Sequence, residues 1–109
     1  IVSTPLGSTA YSYNATGSVV SIDCPVLTIT PLAANRTCPI KSLMLPLDTV
    51  INVEVLEPLK RKVLVVSDGQ DQGDISRAEI RLSQKKARLA FTGGQREGFP
   101  LRFINKCKV

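Results

Sequence analysis

Between Gly17 and Thr92 the chain is written in short apolar runs with a period of two, closed off at intervals by Pro, Gly, Asp or Asn. Ile51, Val53 and Val55 alternate with Asn52 and Glu54, Ala78, Ile80 and Leu82 with Glu79 and Arg81, and Ala87, Leu89 and Phe91 with Lys86 and Arg88. Successive side chains of a strand point to opposite faces, so this alternation predicts half-buried strands; a helix would repeat its apolar positions at three and four. Residues 19–22, 26–30 and 43–45 read as further strands. Residues 63–66 are apolar without a break, which predicts a strand buried on both faces. The short Ser83-Gln84 link predicts a hairpin of 78–82 with 87–91, with Glu79, Arg81, Lys86 and Arg88 turned to solvent. The apolar residues are chiefly Val, Ile and Leu, with no Trp, which also favours strands. The expected fold is mainly β, an antiparallel β-sandwich-like domain, with no second amphipathic helix and an ambiguous tail at 99–107.

The front of the chain departs from this pattern. Pro5 and Gly7 break the extended run begun by Ile1 and Val2, Ser8 suits the N-cap of a helix starting at Thr9, and Gly17 suits the C′ position that ends it. One short helix near the N-terminus is therefore expected. It would place Ala10, Tyr11 and Asn14 on one side, an aromatic ring, a small residue and an amide that together can make a stacking and hydrogen-bonding floor. Read by themselves, these residues fit a surface turn with a capped helix better than a binding site.

With 109 residues the chain is expected to form one domain. Fourteen Lys and Arg against nine Asp and Glu give a net charge of +5, a balance that suits polyanionic ligands such as nucleotides. Aromatic interleaving is sparse and no nucleic-acid motif is present, so nucleic acid is not expected as a partner, and most of these charges read as a solvated surface. No run approaches the roughly 18 apolar residues of a membrane span. Cys24, Cys38 and Cys107 have no C-x-x-C spacing and no His accompanies them, which argues against zinc and for a reducing compartment. The sequons at Asn14 and Asn35 read as chance.

The segment Ser3-Thr4-Pro5-Leu6-Gly7-Ser8-Thr9-Ala10-Tyr11-Ser12 resembles the S-T-P-T-G-S-T-A-Y-S signature of NAD kinases. Ile29-Thr30-Pro31-Leu32 looks like that family's I-T-P-I strand end, Leu43-Met44-Leu45-Pro46 like its P-I-V-L-P element, and Ser67-Asp68-Gly69-Gln70 like the D-G-R or D-S-Q turn after a buried strand. These segments follow in the family's order through residue 92 or so. Leu6 stands where the family has Thr, Thr16 where it has Gly, Ser18 where it has Pro, and Asn35-Arg36 where many members have Pro-His.

The resemblance implies that residues 1–109 are the C-terminal, NAD-binding domain of such an enzyme, without the N-terminal domain that carries its G-G-D-G loop and N-E motif. It implies phosphorylation of the 2′-hydroxyl of the adenosine ribose of NAD to give NADP, with ATP or polyphosphate as donor and Mg²⁺ or another divalent metal. Thr9, Ala10, Tyr11, Asn14 and the backbone at Ala33 would line the dinucleotide pocket, and Asp68 would have a positioning role only. No catalytic residue and no metal ligand is expected in this chain. The complete enzyme is expected to be cytoplasmic and homo-oligomeric. Two alternatives stand beside this: a domain of a diacylglycerol- or sphingosine-type lipid kinase, which would need a broad apolar cleft, and a non-catalytic nucleotide-binding module.

Overall fold

A computed structural model describes residues 1–35, 37 and 39–106. They form two compact units, Ile1–Leu47 with Gln84–Val109, and Asp48–Ser83. The strands are antiparallel throughout and make three small sheets, so the mainly β expectation holds.

In the first unit β1 (Val2–Ser3), β2 (Val26–Ile29) and β3 (Leu43–Pro46) form a sheet in that spatial order, with Ser3 opposite Thr28 and Leu27 opposite Leu45. As the central strand, β2 buries both of its faces. Leu27 joins Val20 in the apolar core, while Thr28 and Thr30, two apart and so on the other face, are fully buried with their hydroxyls. Residues 19–22 do not form the expected strand. The Val20 amide donates to Ser8 Oγ at 2.9 Å, so a side chain takes the hydrogen bond that a neighbouring strand would have received.

The expected N-terminal helix is reduced to a 3₁₀ turn, Pro5–Thr9, and a single α turn, α1 (Tyr11–Asn14). Ser8 is no N-cap. Its hydroxyl donates to the Pro5 carbonyl at 2.7 Å and meets the backbone of Val20, and Ala10 stands at the cap of α1 without a side-chain bond. The C-terminal end of α1 is a Schellman motif, Thr16 N–H to Tyr13 O at 2.9 Å and Gly17 N–H to Ser12 O at 2.7 Å. Thr16, at φ 68°, therefore holds the left-handed C′ position expected for Gly17.

The helix of any length is α2 (Phe99–Lys106), close to the C-terminal end, where the sequence reads as ambiguous. Pro100 is tolerated there because its missing N–H falls in the first turn, whose donors lack helical partners anyway.

The second unit holds β4 (Ile51–Glu54), β5 (Leu64–Ser67), β6 (Gln70–Asp74) and β7 (Arg77–Ile80). The expected hairpin of 78–82 with 87–91 is not formed. β7 pairs instead with β4, which sets Ile80 opposite Ile51, Val53 opposite Ala78 and Arg77 opposite Glu54. Ser83-Gln84 lacks the Gly or Asn that a tight hairpin turn requires, and β4 offers matched apolar and oppositely charged partners. Residues 87–91 are exposed and form no strand, and Glu79, Arg81, Lys86 and Arg88 are exposed as expected. The run at 63–66 is not buried: Leu64 and Val66 are 58% and 62% exposed. It lies in the two-stranded ribbon β5–β6 and not inside a larger sheet with layers packed over both faces.

Candidate functional site around the signature turn

The hydroxyls of the three signature serines, Ser3, Ser8 and Ser12, point inward. Ser3 Oγ lies 2.7 Å from Thr28 Oγ1, and Ser12 Oγ lies 2.9 Å from Thr30 Oγ1, which in turn reaches Ser42 Oγ at 3.4 Å. Ser8, Ser12, Thr28 and Thr30 are all buried, and every buried side-chain polar atom among the described residues has a partner. Buried polar groups are costly only when unpaired, so this cluster fixes where the signature turn sits on the sheet. Gly17 closes over it. A Cβ on Gly17 would stand 2.4 Å from Ser12 Oγ and 2.5 Å from Thr30 Oγ1.

On that footing the ends of α1 and β2 come together. Asn14, Ala15 and Thr16 from the helix end and Pro31, Leu32 and Ala33 from the strand end line a cavity of about 420 Å³, with Ile40 and Lys41 at its side. Two non-glycine residues at its edge hold left-handed backbone, Thr16 at φ 68° and Ala33 at φ 52°. Such outliers concentrate where structure is over-determined around ligands. Asn14 and Ala33 thus share one concavity.

Thr9 lies in a second cavity of about 340 Å³, which it lines with Tyr13, Phe99, Arg102, Phe103 and Lys106. Tyr11 is 60% exposed and Ala10 is exposed, and neither lines either cavity. Asp68 belongs to the second unit, where Asp68 and Gly69, at φ 49° and 78°, are the central residues of the β5–β6 turn. Positive φ at both positions is the type I′ pattern, whose twist matches that of the strands it joins.

Sequence reasoning missed Tyr13, Ser42 and the aromatic stripe of α2. The spacing of Phe99 and Phe103, four apart, was the available signal for the stripe. Ser42 gave none. The free thiol of Cys24 is exposed; Cys38 and Cys107 lie outside the described residues, as does Arg36. Asp23 and Arg96 form an exposed ion pair, Arg96 Nε to Asp23 Oδ1 at 2.9 Å, and that carboxylate raises the guanidinium's pKa above its ordinary value. Among the described residues no three His, Cys, Asp or Glu side chains gather as a metal site would need, and no helix is long and apolar enough to cross a membrane.

Fold and cavities together define a mainly β domain with two concavities beside its signature turn. The family described as the ATP-NAD kinase C-terminal domain matches residues 1–94, and the chain belongs to that family. The chain is 38% identical over 86 residues to the NAD kinase of Xylella fastidiosa (strain Temecula1), an alignment covering 79% of this chain and 33% of the relative. It is 37% identical over 92 residues to the NAD kinase of Xanthomonas oryzae pv. oryzae, covering 84% and 36%. With the NAD kinase of Cereibacter sphaeroides (strain ATCC 17029) it shares 35% identity over 95 residues, covering 86% and 37%. The chain therefore spans about a third of the length of these relatives. The resemblance carried by residues 3–12 is borne out, and the lipid-kinase alternative gains no support from these matches.

Proposed function

We propose that this chain is the NAD-binding domain of an enzyme that phosphorylates the 2′-hydroxyl of the adenosine ribose of NAD, giving NADP. The observation that carries the proposal is the meeting of Asn14 and Ala33 across one cavity. They come from the stretch just after the signature and from the strand end, to both of which the family resemblance assigns the dinucleotide. The Asn14 amide can both donate and accept, as a ribose or nicotinamide amide requires. Thr9 offers a hydroxyl, Ala10 allows close approach of backbone, and the exposed ring of Tyr11 has a face on which a base can stack. Asp68 is assigned positioning only.

In the reaction the ribose 2′-oxygen forms a bond to the terminal phosphorus of ATP or polyphosphate while the bond to the shortened donor breaks. The hydroxyl proton passes to a carboxylate elsewhere in the complete enzyme. The residues described here make neither a metal cage nor a phosphate cradle. Gly93-Gly94 is followed by Gln95-Arg96 with no Asp, so no step is assigned to a metal or donor phosphate within this chain. A cytoplasmic, homo-oligomeric complete enzyme belongs to the same proposal.

A chimera tests it. Joining this chain to the N-terminal part of the Xylella NAD kinase, in place of that enzyme's own C-terminal domain, should give NADP from NAD and ATP, while the 109-residue chain alone gives none. A soluble chimera that phosphorylates diacylglycerol and not NAD would overturn the proposal in favour of the lipid alternative. A soluble chimera inactive on both, with no NAD binding, would leave a non-catalytic module.

A further inference from the structure

Helix α2 carries two exposed cations, Arg102 and Lys106, on the same side as its two half-buried phenylalanines. Phe99, Arg102, Phe103 and Lys106 recur at intervals of three and four and so form one stripe. That stripe, with Thr9 and Tyr13, lines the cavity of about 340 Å³. Leu101 and Ile104 are turned away from it and are 66% and 57% exposed. Arg102 and Lys106 are exposed as well, at the open side of the cavity, while Phe99 and Phe103 are half-buried.

Among the described residues no carboxylate pairs with Arg102 or Lys106, although like charges four apart on a helix repel. The rest of the wall is aromatic. Tyr13 and Phe103 meet edge to face at 5.2 Å and 85°, and Phe99 is half-buried one turn from Phe103. The volume falls in the range of small-molecule pockets, which begins near roughly 300 Å³.

We propose that this cavity binds a small aromatic phosphate, its ring against Tyr13 and the phenylalanines and its phosphate held by Arg102 and Lys106. The guanidinium fork suits two phosphate oxygens, the ammonium supplies a point charge, and the Thr9 hydroxyl is a third donor within the same wall. Four of the six lining residues lie beyond residues 1–94, so the family match does not assign this site. Its cavity is separate from that of Asn14 and Ala33, Thr9 being the one residue that both readings use.

The test is isothermal titration of the 109-residue chain with phenyl phosphate, with phenol and inorganic phosphate as separate arms. Phenyl phosphate should bind at least about tenfold more tightly than either, since ring and anion act together. R102Q/K106Q should lose at least about tenfold, R102K should stay within about fivefold, and K60Q/R61Q, which removes the same charge from the second unit, should leave affinity within about twofold. Asn14→Ala should also leave it unchanged, which keeps this result apart from the fate of the NAD proposal. Equal binding of phenyl phosphate and inorganic phosphate would overturn the site, as would equal losses in the two charge-removing variants. An R102Q/K106Q chain that retains the parent's circular dichroism and full affinity would do the same.

Discussion

Ser12 Oγ and Thr30 Oγ1 stand 2.9 Å apart with both side chains buried, so the signature turn is tied to the end of the central strand through hydroxyls. The tie sits directly beneath Gly17. It also fixes the distance between Asn14 and Ala33, two and three residues further along their segments, and with it the width of the cavity they share.

Gly17→Ala should be among the most damaging single-atom additions to this chain. The new Cβ would lie 2.4 Å, 2.5 Å and 2.6 Å from Ser12 Oγ, Thr30 Oγ1 and Ser12 O, one of them backbone. Separating them must break the Ser12–Thr30 bond or move the sheet, at about 3 kcal/mol or more. Urea unfolding checks this, and a loss under 1 kcal/mol would mean that the turn is not held where described.

Thr30→Val keeps the shape and deletes the hydroxyl that joins Ser12 to Ser42. It should cost about 1–3 kcal/mol, because the Ser12 hydroxyl is left buried without that partner. The double variant S12A/T30V should be less destabilised than the sum of the single changes, since it removes both polar groups. Additive losses in a double-mutant cycle would show that the two hydroxyls are not coupled.

Thr16→Gly should raise stability by about 1 kcal/mol. Thr16 is exposed, so little packing is lost, and its φ of 68° is left-handed backbone that a β-branched residue adopts only with strain. A thermal melt that falls on substitution would show that the threonine side chain contributes something the φ angle does not reveal.

Asn14→Ala, made in the active chimera, should weaken NAD binding by about 1 kcal/mol, the scale of one lost hydrogen bond. Stability should change by less than about 0.5 kcal/mol, as for exposed positions generally. Unchanged NAD affinity in a titration would remove Asn14 from the site.

Much of this protein was legible in the order of its residues. The ten residues from Ser3 to Ser12 carried the family, and the period-two runs carried the strand content, because alternation is a local property of the backbone and needs no partner to be read. Residues 51–54 and 77–80 became strands for that reason, though the alternating run at 87–91 did not. What the sequence could not decide was which strand meets which. Arg77–Ile80 took Ile51–Glu54 and not its sequence neighbour, because pairing is settled by complementary side chains brought together across a long loop. The same holds for the burial of Leu64 and Val66, which depends on what lies over them and not on how apolar they are.

The site divided along the same line. That Asn14 and Ala33 matter to one cavity was readable only through the family resemblance, and their meeting is a tertiary fact resting on Ser12 and Thr30. Serines and threonines are legible as turn and cap residues from local sequence, so Ser8 looked like an N-cap. Only the folded chain shows its hydroxyl buried against Val20, since a side-chain oxygen can bond any donor within reach and the fold alone decides which donors those are.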